Sequence, residues 1–290
     1  MKSKFTALAL ASLASLSALA APVSLPVGPY YIKFDGREQI AISGTTGYPN
    51  EINWGIFTVA TITKGLVTGP NTIETTGPSL FTNLTNPGDQ ITGMFYGTQG
   101  LPAGTGGNPF PATGGFLDLY YRDSTALGVT DLASSLPSVR TSQSTATGFT
   151  DGTLLVHLAF DSGINDLSSL VFINGSQVPS NGGFAGLATS YASVDTSIVG
   201  DWTTAINTDA FTTKYGTRDV RFRNIYESLN SWDSCPNGAT GANCILGARL
   251  TDPATGFAVP EPSSLALIGL GLLGLGATRR RQKMNANSSV

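Results

Sequence analysis

Short runs of alternating apolar and polar residues recur along this chain, with Gly-, Pro- and Asn-rich loops between them. In the run FLDLYYRD (116–123), Leu117, Leu119 and Tyr121 share one face of an extended strand. A period of two is typical of a half-buried β-strand. The pattern predicts an all-β fold, a β-sandwich-like or similar antiparallel domain. Further runs rich in β-branched and aromatic residues occupy 31–42, 53–63, 90–97, 152–160, 168–175 and 219–229.

The N-terminal residues 1–20 have the order of a secretory signal peptide. Lys2 and Lys4 precede an apolar run, and Ala18 and Ala20 satisfy the small-x-small rule for cleavage. An uncleaved membrane anchor is the alternative, but the run is short and interrupted by serines. We predict an N-terminal signal helix, export through the Sec-type machinery, and a mature chain that starts at Ala21.

A second apolar segment, residues 265–277, contains no charge. At about 1.5 Å per residue a helix of this length spans roughly 20 Å, less than the ~30 Å core of a bilayer. Its Leu and Ile residues contribute roughly −2 to −4 kcal/mol to membrane insertion, which predicts a marginal transmembrane anchor. By length alone, a buried core helix with a basic flank is an equal alternative.

A Pro-Glu-Pro motif at 260–262 precedes the segment, and an arginine cluster at 279–281 follows it. In this order the elements resemble the PEP-CTERM sorting signal. The resemblance, confined to the C-terminal region, implies recognition and cleavage by exosortase, a membrane enzyme. It also implies a Gram-negative bacterium that makes extracellular polysaccharide. The chain departs from the usual pattern by continuing through residues 282–290. The sorting elements are Pro260, Glu261, Pro262, Arg279, Arg280 and Arg281.

The two ends define the expected organisation of the chain. The precursor would be tethered in the inner membrane by its C-terminal hydrophobic helix, and the product would reach the cell surface or the extracellular matrix. Exosortase and the export machinery are the expected partners. The predicted parts are a signal peptide (1–20), an exported β-rich domain (21–249), a linker (250–259), the sorting signal with its transmembrane helix (260–281) and a cytoplasmic tail (282–290).

The charge of the exported body argues against nucleic-acid binding. The chain has 16 basic and 19 acidic residues. The terminal segments hold six of the basic residues and only Glu261 among the acidic ones, which leaves ten basic and eighteen acidic residues in the body. A body with this excess of acidic residues repels the phosphate backbone of nucleic acids.

Cys235 and Cys244 are the two cysteines of the sequence, and the loop between them is rich in turn-forming residues. In an exported protein such a pair predicts a disulfide. Free thiols or metal ligands are the alternative. Because His157 is the one histidine of the sequence, a Cys/His metal site is disfavoured, and we expect no metal and no cofactor.

Catalytic motifs are absent from the sequence. It has no G-x-S-x-G, H-E-x-x-H or G-K-[ST] motif, which argues against α/β-hydrolase, zincin and P-loop chemistry. His157 is interpreted as a histidine on the second face of a half-buried strand rather than as a general base. We therefore expect no enzyme. Paired carboxylates could support glycoside hydrolysis, but exposed loop positions are the preferred interpretation of the candidates Asp118, Asp123, Asp161 and Asp166.

Three weaker patterns leave alternatives open. The turn DSGIND offers oxygen ligands suited to calcium, although a plain turn is favoured. Five aromatic residues could stack on sugar rings, although aromatics more often fill a core. Arginines near residue 220 are interpreted as a solvated strand face. The residues concerned are Asp161, Asn165 and Asp166; Trp54, Trp202, Trp232, Tyr120 and Tyr121; and Arg218, Arg221 and Arg223.

Together these features predict an exported, exosortase-processed structural or adhesive protein of the extracellular matrix, biofilm or floc. The argument for the matrix role is an analogy at the level of the signal's class. A carbohydrate-binding or carbohydrate-cleaving domain acting on exopolysaccharide is the alternative, with extracellular polysaccharide as partner. An exposed aromatic row, or two carboxylates in one cleft, would favour the alternative; three buried tryptophans would favour the matrix role.

Overall fold

The computed structural model describes residues 23–45, 47–83, 88–135, 146–180, 183–234 and 244–260. Almost all of them belong to one compact unit, Val23–Val259. The predicted signal helix and the apolar segment at 265–277 lie outside the described residues. Within these ranges, no helix has the length and apolar composition needed to cross a membrane.

The described residues form an antiparallel all-β domain, which confirms the predicted fold class. Two four-residue helices, α1 (Ser124–Leu127) and α2 (Thr203–Ile206), accompany the strands. The strands are β1 (Gly28–Ala41), β2 (Ile52–Gly69), β3 (Thr72–Thr82), β4 (Asp89–Gly100), β5 (Phe110–Thr113), β6 (Phe116–Asp123), β7 (Thr153–Asp161), β8 (Ile173–Ser180), β9 (Gly183–Val194), β10 (Phe211–Thr213), β11 (Gly216–Arg218), β12 (Val220–Ser228) and β13 (Ile245–Ala258).

The main sheet closes on itself. Its ring runs β1–β2–β4–β6–β7–β9–β12–β13 and returns to β1, with every neighbouring pair antiparallel. The pairing of the first half of β2 with β4 makes the closure. Strands β5 and β8 form a second bridge from β4 to β9, and β3 pairs with the other half of β2. Closure gives the sheet an interior and an outer face rather than the two stacked sheets of a sandwich.

Apolar side chains fill one end of the interior. Ile32, Phe57 and Phe222 are almost fully buried there. Trp202, beside α2, is 1 % exposed, and its indole Nε1 donates a hydrogen bond to the carbonyl oxygen of Val23 at 2.6 Å. Burial of each such side chain stabilises the fold by about 1.5–3 kcal/mol. This end of the ring is therefore a packed core.

Residues 128–135 and 146–151, called the cover, lie over part of the outer face. Arg122 on β6 is 2 % exposed and holds the cover in place. Its Nε donates to Asp151 at 2.6 Å, and its Nη1 donates to the carbonyl oxygen of Gly128 at 3.1 Å. Leu132 and Phe149 of the cover pack in one buried cluster with Trp232. The outer face is consequently apolar where this cover lies on it.

Residues 250–258 differ from the linker predicted at 250–259. They form the second half of β13, which pairs with β1 along its whole length and also with β12. The pairing with β12 holds at Val220–Phe222 and again at Ile225–Ser228, and Pro253 lies opposite the gap. Proline cannot donate to a ladder, which accounts for this local interruption. Strand partners on both sides override the turn-like sequence.

Candidate functional site

The end of the ring opposite α2 encloses a cavity of about 470 Å³. Pockets that hold small organic ligands have volumes of about 300–1,000 Å³. Strands β1, β2, β4, β5, β8, β9, β12 and β13 provide most of the wall, and β6, β7, Ile42, Glu51 and the loop after β4 add the remainder. The exposed lining residues Ala103, Pro109, Phe110 and Gln177 mark the opening.

Phenylalanine rings line the apolar wall of this cavity together with aliphatic side chains. Glycines leave room for them: a Cβ on Gly93 would lie 2.5 Å from Cζ of Phe57. Such a lining favours a ligand with an apolar body, because that body releases water from the rings when it binds. The six phenylalanines of the lining are Phe34, Phe57, Phe95, Phe110, Phe160 and Phe184.

Glu38 points into the cavity from β1. Strand alternation places it on the same inward face as Phe34 and Gly36, and it is 8 % exposed. Its carboxyl has no hydrogen bond to another described residue. Burial, and second the nearby carboxyl of Glu51, raise the pKa of Glu38 to about 8.

Glu51, immediately before β2, lies in the same wall. Its side chain occupies the space beside Gly100, where an added Cβ would lie 2.8 Å from Cδ of Glu51. Burial raises the pKa of Glu51, and a hydrogen bond with the side chain of Asn53 opposes that shift. Glycine at position 100 is therefore what allows this carboxyl to lie against the wall.

Two amide oxygens complete the polar wall. Oδ1 of Asn53 and Oδ1 of Asn224 are buried and have no hydrogen-bond partner among the described residues. The phenol of Tyr226 does not supply the missing donor, because its hydroxyl donates to the carbonyl oxygen of Ser176 at 2.8 Å. Burial is the largest cause that raises the pKa of Tyr226 to about 12, and the nearby carboxyls of Glu38 and Glu51 add to it. The wall thus presents acceptors without matching donors.

His157 and Asp118 lie away from the cavity, in a buried cluster on the outer face. Nδ1 of His157 is 2.5 Å from Oδ1 of Asp118, and its Nε2 is 3.7 Å from Oδ2 of Asp195. Phe116 stacks on the imidazole with ring centroids 5.0 Å apart. Both His157 and Asp118 are almost completely buried, so Asp118 is not in an exposed loop as predicted, because β6 and β7 bring it under cover.

The other three predicted aspartates have local structural partners, through the carboxylate in Asp123 and Asp161 and through the backbone in Asp166. Asp123 caps α1 by accepting from the backbone N–H of Thr125 at 2.9 Å. Asp161 lies 3.2 Å from Nη2 of Arg218. The backbone carbonyl of Asp166 accepts from Lys214.

The turn DSGIND does not assemble its oxygen ligands in the described structure. Asn165 instead donates from Nδ2 to the carbonyl oxygen of Gly106 at 2.9 Å and accepts from the backbone N–H of Leu167. Within the described ranges, no group of three His, Cys, Asp or Glu is placed to hold a metal ion.

The aromatic residues predicted as sugar-stacking candidates do not form an exposed row. Trp54, Trp202 and Trp232 are 1 %, 1 % and 4 % exposed, and Tyr120 is 7 % exposed. Tyr121 donates from its hydroxyl to Asp89 at 2.6 Å.

The three predicted arginines have different surroundings. Arg218 is buried and donates from Nε to the carbonyl oxygen of Ser162 at 2.7 Å. Arg221 is half-buried, 6.0 Å from the centroid of the Tyr191 ring. Arg223 is exposed, as expected for a solvated face.

Of the two cysteines of the predicted disulfide, Cys235 lies outside the described residues. Cys244 is 3 % exposed. Next to the pair, Ser234 and Ile245 exchange two backbone hydrogen bonds of 2.8 and 3.0 Å across an antiparallel bridge. The disulfide stays a prediction.

The C-terminal region was compared with known protein families. Residues 258–281 match the model of the PEP-CTERM protein-sorting motif. The chain carries a PEP-CTERM sorting signal. It is therefore an exosortase-targeted, exported protein whose membrane-anchored precursor is processed to the cell surface. Comparison with curated proteins and with solved structures found no similar protein.

Most residues of this PEP-CTERM signal lie beyond the described residues. The structure reaches Pro260, the first residue of the motif. The predicted cleavage residues of the signal peptide also lie outside it. These undescribed site residues are Ala18, Ala20, Glu261, Pro262, Arg279, Arg280 and Arg281.

The cavity residues were missed by sequence reasoning. One signal could have identified Glu38: it is the acidic member of an inward alternation, Phe34, Gly36, Glu38, that is otherwise apolar. Asn224 and Glu51 carry no comparable pattern, because their positions depend on which strands become neighbours when the sheet closes.

Proposed function

We propose that the protein is an exosortase-processed structural or adhesive component of the extracellular matrix, biofilm or floc. The observation that carries the proposal is the position of the sorting motif. The match begins at Ala258, the last residue of β13, so the signal follows directly on a strand of the closed sheet.

A strand in this position is a strong point of attachment. Strand β13 lies between β1 and β12, and its register with β1 runs without interruption from Gly28↔Ala258 to Ala41↔Ile245. A pulling force applied at the motif would act on a ladder of antiparallel backbone hydrogen bonds rather than on a loosely held loop. That arrangement suits a domain that is retained at a surface by its C-terminus.

Burial of the tryptophans also supports the matrix role. Because all three are at most 4 % exposed, they serve the core and do not form a flat platform for sugar rings. In this proposal the domain has no catalytic role, since His157 and Asp118 are enclosed beneath Phe116.

A carbohydrate-binding or carbohydrate-cleaving function is the second candidate. The observation in its favour is that Glu38 and Glu51 face one cavity. Glycoside hydrolysis requires one protonated and one ionised carboxyl group, and burial raises the pKa of both groups here. The phenylalanine lining, however, fits an apolar molecule better than a polysaccharide chain.

The proposed matrix role is tested by deleting the gene and restoring it with two alleles. One allele is wild type, and the other replaces Pro260, Glu261 and Pro262 by alanine, a change beyond the last strand. We expect deletion to reduce cell aggregation, wild type to restore it, and the triple variant to fail to restore retention in the matrix fraction. Unchanged aggregation and matrix composition in the deletion strain would contradict the proposal.

The second candidate has a separate test. The exported protein and its Glu38→Gln variant are incubated with the strain's own exopolysaccharide, and newly formed reducing ends are measured. Release by wild type that is lost in Glu38→Gln would favour carbohydrate cleavage over a purely structural role.

A further inference from the structure

We propose that the interior cavity binds a small organic amine, with its ammonium group against Glu38 and Glu51 and its apolar body among the phenylalanine rings. The proposal goes beyond the matrix role and does not depend on it.

The first step concerns the shape of the ligand. The cavity has a volume of about 470 Å³ and an opening at the exposed residues Ala103, Phe110 and Gln177. Six phenylalanines line it. Transfer of an aliphatic or aromatic body of moderate size from water to this lining contributes favourable binding free energy. A cationic head group would also interact favourably with the ring faces.

The second step concerns hydrogen bonding. Glu38 is more than nine-tenths buried, and its carboxyl has no hydrogen bond to another described residue. Oδ1 of Asn53 and Oδ1 of Asn224 are likewise buried without a partner in the described structure. Buried acceptors are normally paired, so the ligand should bring donors. A primary ammonium group has three N–H donors and no acceptor.

The third step concerns charge. Two carboxyl groups line the cavity, and no Lys, Arg or His is among its described lining residues. An anionic ligand would therefore find no cationic partner and would oppose ionisation of these carboxyls. An ammonium ion instead favours their ionised form, with release of the proton held by Glu38, and its attraction to them is stronger in an enclosed site than in water. Charge therefore favours an amine over a neutral alcohol of the same shape.

The test uses three probes with one ring system and different head groups: 1-naphthylmethylamine, 1-naphthalenemethanol and 1-naphthoic acid. Binding of each to the exported protein is measured by isothermal titration calorimetry. We expect the amine to bind at least about tenfold more tightly than the alcohol, and the acid to show no binding. Equal or tighter binding of the alcohol, any binding of the acid, or no binding of the amine would overturn the proposal.

Neighbouring residues on β9 provide matched variants. Ala188 lines the cavity, whereas Leu187 lies on the outer face and is 37 % exposed. Ala188→Phe should abolish binding of the amine by filling the cavity, and Leu187→Phe should leave the affinity unchanged. Amine binding by Ala188→Phe at wild-type affinity would overturn the location of the site.

A variant of similar shape guards against misfolding of Ala188→Phe. Glu38→Gln keeps the size of the side chain and removes its charge. We expect the affinity for the amine to fall by about tenfold, while the affinity for the alcohol stays the same. Retention of the full preference for the amine in Glu38→Gln would exclude Glu38 as the charge partner and overturn the proposal.

Discussion

Replacement of Asp219 by asparagine should destabilise the domain strongly. Asp219, just before β12, is 2 % exposed. Its Oδ2 accepts from the backbone N–H of Val194 at 2.8 Å, and its Oδ1 accepts from those of Thr208 and Asp209 at 2.7 and 2.8 Å. One carboxylate therefore joins the end of β9, the segment after α2 and the start of β12.

The magnitude follows from these three bonds. Asparagine has the same shape, but one acceptor oxygen becomes an NH₂ donor. If the amide oxygen introduced by Asp219→Asn keeps the hydrogen bonds from Thr208 and Asp209, the backbone N–H of Val194 loses its acceptor. This loss costs about 1–3 kcal/mol. The two remaining bonds lose a charged acceptor, at roughly 1 kcal/mol each. We expect the free energy of unfolding to fall by about 3–5 kcal/mol, which lowers Tm by roughly 6–20 °C in a domain of this size.

Thermal unfolding followed by circular dichroism measures this effect. Asp201→Asn is the matched control, since Asp201 is a nearby exposed residue and exposed substitutions usually change stability by less than about 0.5 kcal/mol. If Asp219→Asn lowers Tm no more than Asp201→Asn does, the three amide bonds do not contribute as argued.

Three further predictions concern the disulfide, the anchor and the cavity. Mass spectrometry without reduction should find the peptide of Cys235 and Cys244 lighter by two hydrogens; free thiols in most molecules would exclude the bridge. Gly271→Arg should abolish anchoring, because a central arginine costs about 2.5–3.5 kcal/mol against a marginal insertion free energy; normal fractionation and processing on immunoblots would contradict this. Folding raises the pKa of Glu38 from 4.5 to about 8, so the folded state keeps a proton that the unfolded state releases, and stability should fall as pH rises through this window. Because burial also raises the pKa of Glu51, Glu38→Gln should reduce rather than abolish the slope of urea unfolding midpoints across the window, and an unchanged slope would refute the assignment.

The sequence alone was sufficient to predict the export and sorting of the protein and its fold class. The sorting signal is a linear motif, so its recognition requires no tertiary contact. The sequence predicted strands β1, β2, β4, β6, β7 and β12 because their apolar residues alternate with the period of a strand.

Strands β9 and β13 and the cavity were decided by tertiary structure. Their glycines lie against large side chains from other strands: a Cβ on Gly186 would meet the backbone of Ser176 and the ring of Tyr226, and one on Gly256 would lie 2.5 Å from the hydroxyl oxygen of Tyr30. A glycine that is required by such a close contact does not add to the alternating apolar pattern that predicts a strand. Likewise, Glu38 and Asn224 share a wall only because β1, β13 and β12 are consecutive in the ring. Closure of the sheet is a property of strand pairing between distant residues, and neither composition nor periodicity specifies which pairs form.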